Sequence, residues 1–104
     1  MNQKPLALVI EDDPDLAEIF AQALEAAEFS TEVIRDGHTA MQRMDGPVPR
    51  AIILDLHLPH VDGTQILKRI RSDNRFQDAR VVITTADTIS AELLRDEADF
   101  VLVK

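Results

Sequence analysis

Residues 51–63 read AIILDLHLPHVDG and place four apolar residues directly before Asp55. A short apolar run of this kind is typical of a strand that is buried on both faces of a parallel sheet. Asp55 then lies at the carboxyl end of that strand, and Pro59 and Gly63 belong to the loop that follows. Because ligands bind open parallel α/β sheets at the carboxyl edge, Asp55 is the first candidate for chemistry.

The composition limits the classes of function. The chain has 104 residues and a formal charge of −8, which argues against direct nucleic-acid binding because that depends on clustered lysine and arginine. The length predicts one domain, residues 1–104. There is no cysteine and no apolar run near the roughly 20 residues that a membrane span needs. We therefore expect no disulfide, no membrane contact and a cytoplasmic location.

A second apolar run, Leu6–Ile10, also ends in acidic residues, Glu11 and Asp12. Asp13 is placed to cap a helix that Pro14 begins. Apolar residues then recur at steps of three and four, which is typical of one face of an amphipathic helix. The first two elements are therefore a buried strand and a helix, with acids between them.

The remaining chain continues this alternation. The predicted elements are strands at 31–35, 81–84 and 100–103, helices at 39–44, 64–72 and 89–96, and a polar connection at 73–78. Strands that alternate with helices at this spacing indicate βαβ units and right-handed crossovers. The predicted fold class is α/β with a five-stranded parallel sheet.

Parallel strands bring their carboxyl ends to one edge, which would gather Glu11, Asp12, Asp55, Thr85 and Lys104. Crowded carboxylates need a shared proton or a hard cation, and Mg²⁺ suits them. A carboxylate can also form an acyl phosphate, with a metal and an ammonium neutralising the phosphoryl oxygens in transfer. Each residue alone is more simply a solvated loop residue, a helix cap or a charged chain end, so the hypothesis depends on the whole set.

Four segments, VIEDDPDL, ILDLHLPHVDG, ITTAD and FVLVK, follow one another along the whole chain. Together they resemble the receiver domain of bacterial response regulators, the phospho-acceptor part of two-component signalling. The resemblance implies a doubly wound, flavodoxin-like sheet of order 2-1-3-4-5. It also implies a sensor histidine kinase or a phosphotransfer protein as phosphoryl donor, and an output protein that the sequence does not identify.

The resemblance implies an acceptor and a metal site. Asp55 is the phosphorylated residue and a ligand of Mg²⁺. Asp12 is a direct Mg²⁺ ligand, and Glu11 holds the ion through water. His57 contributes its backbone carbonyl to the metal.

The resemblance also implies a switch. Thr85 is the hydroxyl that turns toward the phosphoryl group, and Ala86 is the small neighbour that leaves access. Lys104 pairs with the phosphoryl oxygens. The side chains of His57 and Asp87 are expected at the mouth of the site, where they tune the lifetime of the phosphoryl group.

Three features depart from the family pattern. Val101 stands where an aromatic switch residue is usual, and Phe100 would point to the opposite face of the strand. The segment from Thr85 to Lys104 is short, so we expect a trimmed fourth helix. The sequence stops at Lys104, so we also expect a C-terminally truncated domain that lacks the usual fifth helix and self-associates through the sheet face left open.

The first hypothesis is a phosphorylated receiver, a switch rather than an enzyme. An alternative is an interaction module of the same fold that works without phosphorylation. A metal-dependent phosphohydrolase with an aspartate nucleophile is disfavoured, because such enzymes need a second acid two residues on, where this chain has His57.

Overall fold

The computed structural model describes residues 3–104, within which five strands alternate with four α-helices. The strands are β1 (Leu6–Ile10), β2 (Ser30–Ile34), β3 (Ala51–Asp55), β4 (Arg80–Thr85) and β5 (Phe100–Val103). The helices are α1 (Pro14–Ala26), α2 (Gly37–Arg43), α3 (Gly63–Arg71) and α4 (Thr88–Leu93). Short 3₁₀ helices lie at Asn74–Phe76 and Arg95–Glu97.

All neighbouring strands are parallel, in the order β2-β1-β3-β4-β5. This arrangement confirms the predicted α/β class and the strand order. The described residues hold one α-helix fewer than the usual five, as predicted. Within residues 3–104, every helix is too short or too polar to cross a membrane.

The hydrophobic core lies on one face of the sheet. Side chains alternate between faces along a strand, so Leu8 and Ile10 of β1 share this face with Ile52 and Leu54 of β3. Helices α2 and α3 cover it, and their buried core residues are Ala40, Ile66, Leu67 and Ile70. The central position of β3 places Asp55 at the middle of the carboxyl edge.

The opposite face is covered by α1, beneath which Ala7 and Val9 are fully buried. Asp13 caps this helix and Pro14 is its first residue, as predicted. This face of the sheet is less covered at β5, which lies farther from α1. Phe100 is 62% exposed, and Leu102, which follows on the same face, is 42% exposed.

Two sequence expectations need correction. The segment 73–78 is not purely polar, because Phe76 is only 1% exposed and lies in the core. Asp73 accepts a hydrogen bond from the backbone N–H of Arg75, and the resulting 3₁₀ helix turns the Phe76 ring inward. The last helix ends at Leu93 rather than at residue 96, and a 3₁₀ helix follows it. The other predicted boundaries agree with the structure to within two residues.

Candidate functional site

Glu11, Asp55 and Lys104 meet at the carboxyl edge of the sheet. The Lys104 ammonium lies 3.0 Å from Glu11 Oε1 and 3.3 Å from Asp55 Oδ2. Its backbone N–H donates to the Thr85 carbonyl at 2.8 Å, which fixes the residue directly after β5. The sequence prediction that these three side chains converge is therefore matched by the geometry.

Burial sets the electrostatics of this group. Desolvation raises the pKa of Glu11 to about 7; the Lys104 ammonium opposes the rise and the Asp55 carboxylate adds to it. Desolvation alone would lower the pKa of Lys104, but its contacts with Glu11 and Asp55 outweigh that effect and raise the value above its ordinary range. Lys104 thus stays protonated and offsets part of the negative charge.

Three carboxylates form a candidate cation site. Glu11, Asp12 and Asp55 each offer an oxygen atom, and these oxygens lie within 4.8 Å of one another. Glu11 and Asp55 are buried, whereas Asp12 is exposed. Carboxylate oxygens are the hard donors that Mg²⁺ prefers, so the residues present fit the predicted metal.

The β3–α3 loop holds His57 against Asp55. The His57 backbone N–H donates to Asp55 Oδ1 at 3.1 Å. Gly63 closes the loop against the strand end, because a Cβ atom there would lie 2.5 Å from the Asp55 carbonyl oxygen. A side chain at that position would push the loop away from the acceptor, which explains the glycine that the sequence places there.

Thr85 is fully buried at the end of β4. Its hydroxyl accepts the Asp87 backbone N–H at 3.0 Å, and His57 Nε2 lies 3.3 Å away from it. The Asp87 carboxylate caps α4 by accepting from the Ile89 N–H and the Ser90 hydroxyl. The Ser90 hydrogen bond is the largest cause of the lowered pKa of Asp87, with the Ile89 bond next.

The predicted switch residues are therefore adjacent but not all in contact. Within residues 3–104, the Thr85 hydroxyl forms no hydrogen bond with Asp55 or Lys104. Ala86 is exposed beside it. An open groove of about 530 Å³ adjoins the acidic cluster. It is lined by Asp12, Leu56, His57, Leu58, Pro59, His60 and Asp62.

Two features of the site were not predicted from the sequence. The first is the contact between the His57 side chain and Thr85, which depends on side-chain torsions that no sequence pattern reveals. The second is Thr84, which pairs in register with Asp55 and is fully buried. Its hydroxyl has no hydrogen-bond partner in the described part of the chain. The adjacent TT pair in the sequence was the available signal.

The chain is similar in sequence to known proteins. The family model described as the response regulator receiver domain matches residues 7–104. The DNA-binding response regulator MtrA of Mycolicibacterium smegmatis is 33% identical over 87 residues, which cover 84% of this chain and 37% of MtrA. The transcriptional regulatory protein BaeR of Escherichia coli is 34% identical over 82 residues, which cover 79% of this chain and 33% of BaeR.

A solved structure supports the fold. The response regulator receiver domain from Methylobacillus flagellatus superposes with a TM-score of 0.83 at 25% sequence identity. The match covers 98% of this chain and 87% of that one. The chain thus matches most of that structure, whereas it spans about a third of the length of the two curated relatives.

Proposed function

This chain belongs to the response regulator receiver domain family, and we propose that it is a phospho-acceptor switch that is phosphorylated on Asp55. The observation that carries the proposal is the environment of Asp55. Its side chain is buried at the end of the central strand, 3.3 Å from an ammonium and beside two further carboxylates. Family membership makes the chain a receiver domain of two-component signalling, and the phosphoryl chemistry is our proposal.

The metal site follows from the acidic cluster. Asp12 and Asp55 would hold Mg²⁺ directly, Glu11 through water, and His57 through its backbone carbonyl. When bound, Mg²⁺ neutralises charge on the phosphoryl oxygens. Lys104 supplies a second positive charge at the same place, because it already lies between Glu11 and Asp55.

Phosphoryl transfer then needs little more than positioning. An oxygen of Asp55 attacks the phosphorus of a phosphohistidine on a sensor kinase or phosphotransfer protein, the P–N bond breaks, and an acyl phosphate forms. Lys104 pairs with the phosphoryl oxygens, and the Thr85 hydroxyl turns toward them past the small side chain of Ala86. The changed surface alters affinity for an output protein. Nucleic acid is not proposed as a direct partner, because the formal charge is −8.

Loss of the phosphoryl group requires water to reach the acyl phosphate. His57 lines the groove beside the site, and Asp87 lies next to Thr85. We propose that both side chains tune this access. Replacing either with alanine should change the rate of autodephosphorylation more than it changes Mg²⁺ affinity. Identical decay curves for His57→Ala, Asp87→Ala and the parent would contradict this role.

The direct test is intact-mass measurement after incubation with acetyl phosphate, with and without Mg²⁺. We expect the mass of one phosphoryl group to be added only with Mg²⁺, and no addition to Asp55→Asn. Absence of labelling in the parent under conditions that label a known receiver would overturn the proposal, and would leave the interaction module that works without phosphorylation.

A further inference from the structure

The orientation of the Thr85 hydroxyl in this structure is defined by two contacts. The Asp87 backbone N–H donates to it at 3.0 Å, and His57 Nε2 lies 3.3 Å from it. The residue is fully buried. In the described residues it makes no hydrogen bond with Asp55 or Lys104, so the contacts that hold the hydroxyl come from His57 and Asp87 and not from the acceptor.

We propose that His57 is a positioning residue that holds the Thr85 hydroxyl in this resting orientation until Asp55 is phosphorylated. The inference rests on the proposed function and concerns the regulation of the same site. It differs from control of water access, because it acts on the switch hydroxyl itself and is present before any phosphoryl group arrives.

The hydrogen-bonding capacity of a hydroxyl explains why the contact opposes the switch. A threonine hydroxyl has one proton and two lone pairs. The Asp87 N–H uses one lone pair, and the imidazole uses either the proton or the second lone pair. When the neutral imidazole accepts the hydroxyl proton, that proton is not available to a phosphoryl oxygen on Asp55 until the hydroxyl leaves the imidazole. The contact therefore adds to the free-energy cost of switching.

His57 is also connected to the acceptor. Its backbone N–H donates to Asp55 Oδ1 at 3.1 Å, while its side chain contacts Thr85. Phosphorylation changes the charge and position of the oxygens on Asp55, and so changes what the His57 backbone binds. One residue thus links the acceptor to the switch hydroxyl through its main chain and its side chain.

The expected effect is small. At 3.3 Å the contact is long for a hydrogen bond that involves a hydroxyl, and His57 is exposed. A bond of this kind contributes little net free energy, so we expect an effect of about threefold on the switching equilibrium rather than orders of magnitude.

The first experiment needs no phosphoryl chemistry. NMR three-bond couplings to the Thr85 methyl carbon report the χ1 torsion of Thr85 in the full chain. We expect one rotamer in the parent and in His57→Gln, which can still reach the hydroxyl, and rotamer averaging in His57→Ala. His38→Ala is the matched control and should keep the single rotamer, because it removes another exposed histidine that lies on α2 and contacts Gln42 rather than Thr85. Unchanged couplings in His57→Ala would overturn the proposal.

The second experiment measures switching with beryllofluoride and Mg²⁺ as a phosphoryl analogue. We expect His57→Ala to bind the analogue about threefold more tightly than the parent, and to have no effect in a Thr85→Val background. An equal effect in both backgrounds would show that His57 acts on access alone. If the parent binds no analogue but the couplings still change as expected, the proposed function fails and the positioning role stands.

Discussion

At the residue scale, Asp12 offers the most direct test of the metal site. It is the exposed member of the three-carboxylate cluster, so its removal should weaken Mg²⁺ binding without disturbing the core. We predict that Asp12→Ala abolishes Mg²⁺-dependent labelling by acetyl phosphate and leaves the unfolding midpoint unchanged or raised, because one like charge is lost. Asp15→Ala, which removes a nearby exposed acid in the first turn of α1, is the control and should label normally. An unchanged Mg²⁺ titration in Asp12→Ala would remove Asp12 from the site.

Glu11 should make stability depend on pH when no metal is present. Burial raises its pKa in the folded chain from 4.5 to about 7, so the folded state binds the proton more tightly than the unfolded state. The stabilisation is complete below the unfolded pKa and is lost as pH rises through the folded one. We predict that the contribution of Glu11 to the free energy of unfolding falls by roughly 1–3 kcal/mol as the pH rises from its unfolded pKa to its folded pKa.

Urea unfolding in a chelating buffer at several pH values measures this fall. Glu11→Gln cannot titrate and should show a flatter profile than the parent over the same interval. Parallel profiles for the two proteins would mean that Glu11 ionises in the folded chain as easily as it does in the unfolded one.

The adjacent threonines of β4 should respond in opposite ways to the same substitution. Thr84 is fully buried and its hydroxyl lacks a partner in the described region, so Thr84→Val should raise the free energy of unfolding by about 1 kcal/mol. Thr85→Val instead removes the acceptor of the Asp87 N–H and should lower it by a similar amount. Thermal unfolding of both variants provides the comparison. A loss of stability in Thr84→Val would indicate that this hydroxyl is hydrogen-bonded after all.

The positions of the site residues could be predicted from the sequence where they depend on the ends of the strands. Asp55 is the last residue of an apolar strand and Lys104 directly follows another, so the parallel topology alone brings them to one edge. The side-chain contact between His57 and Thr85 was not predictable, because it joins residues 28 apart through torsions that the backbone pattern leaves free.

At the element scale, helix starts were the easiest boundaries to explain. Within residues 3–104, each of the four α-helices begins after an aspartate whose carboxylate accepts a backbone N–H of the first turn: Asp13, Asp36, Asp62 and Asp87. Asp13 was predicted as a cap from the sequence, because Pro14 beside it marked the first helical position. The end of α4 and the 3₁₀ helix at Asn74–Phe76 carried no comparable signal.

The 3₁₀ helix after α3 should matter more to stability than its polar sequence indicates. Phe76 is 1% exposed, and the Arg75 guanidinium carbon lies 5.4 Å from the centre of its ring. We predict that Phe76→Ala lowers the free energy of unfolding by about 3–5 kcal/mol, because it removes a large core side chain. Urea titration followed by circular dichroism measures the change.

Phe100→Ala is the matched control, since the same substitution is made at a ring that is 62% exposed. Phe100→Ala should lower the free energy of unfolding far less than Phe76→Ala does. Similar losses in the two variants would show that the 3₁₀ helix adds no more to the core than the edge strand does.

At the scale of the whole molecule, the strand order follows from the alternation of elements together with the resemblance, and both faces of the sheet can be assigned from the alternation of side chains. The degree to which the second face is covered could not be read from the sequence alone. It depends on how far α1 reaches across the sheet. Coverage is complete at Ala7 and Val9 of β1 and low at Phe100 and Leu102 of β5.

This uneven coverage leads to a prediction about association of the 104-residue chain. The register places Ile53, Val82 and Phe100 in one row across β3, β4 and β5, with the first two half-buried and the third largely exposed. A row of apolar side chains of this kind presents on the order of a few hundred Å², near the upper limit for a monomer. We predict that this chain self-associates through the row and that its sedimentation coefficient rises with concentration.

A substitution on the open face of the sheet and another on the surface of α4 can identify the interface. Phe100→Ser should shift the chain toward monomer and reduce binding of a hydrophobic dye, because burial of an aromatic ring contributes about 25 cal/mol for each Å² removed from water. Leu93→Ser removes an equally prominent side chain, 75% exposed on α4, and should leave association unchanged. Equal weakening by both substitutions would place the interface elsewhere. A parent that sediments as a monomer at every concentration, with no dye binding, would show that the open row does not drive association.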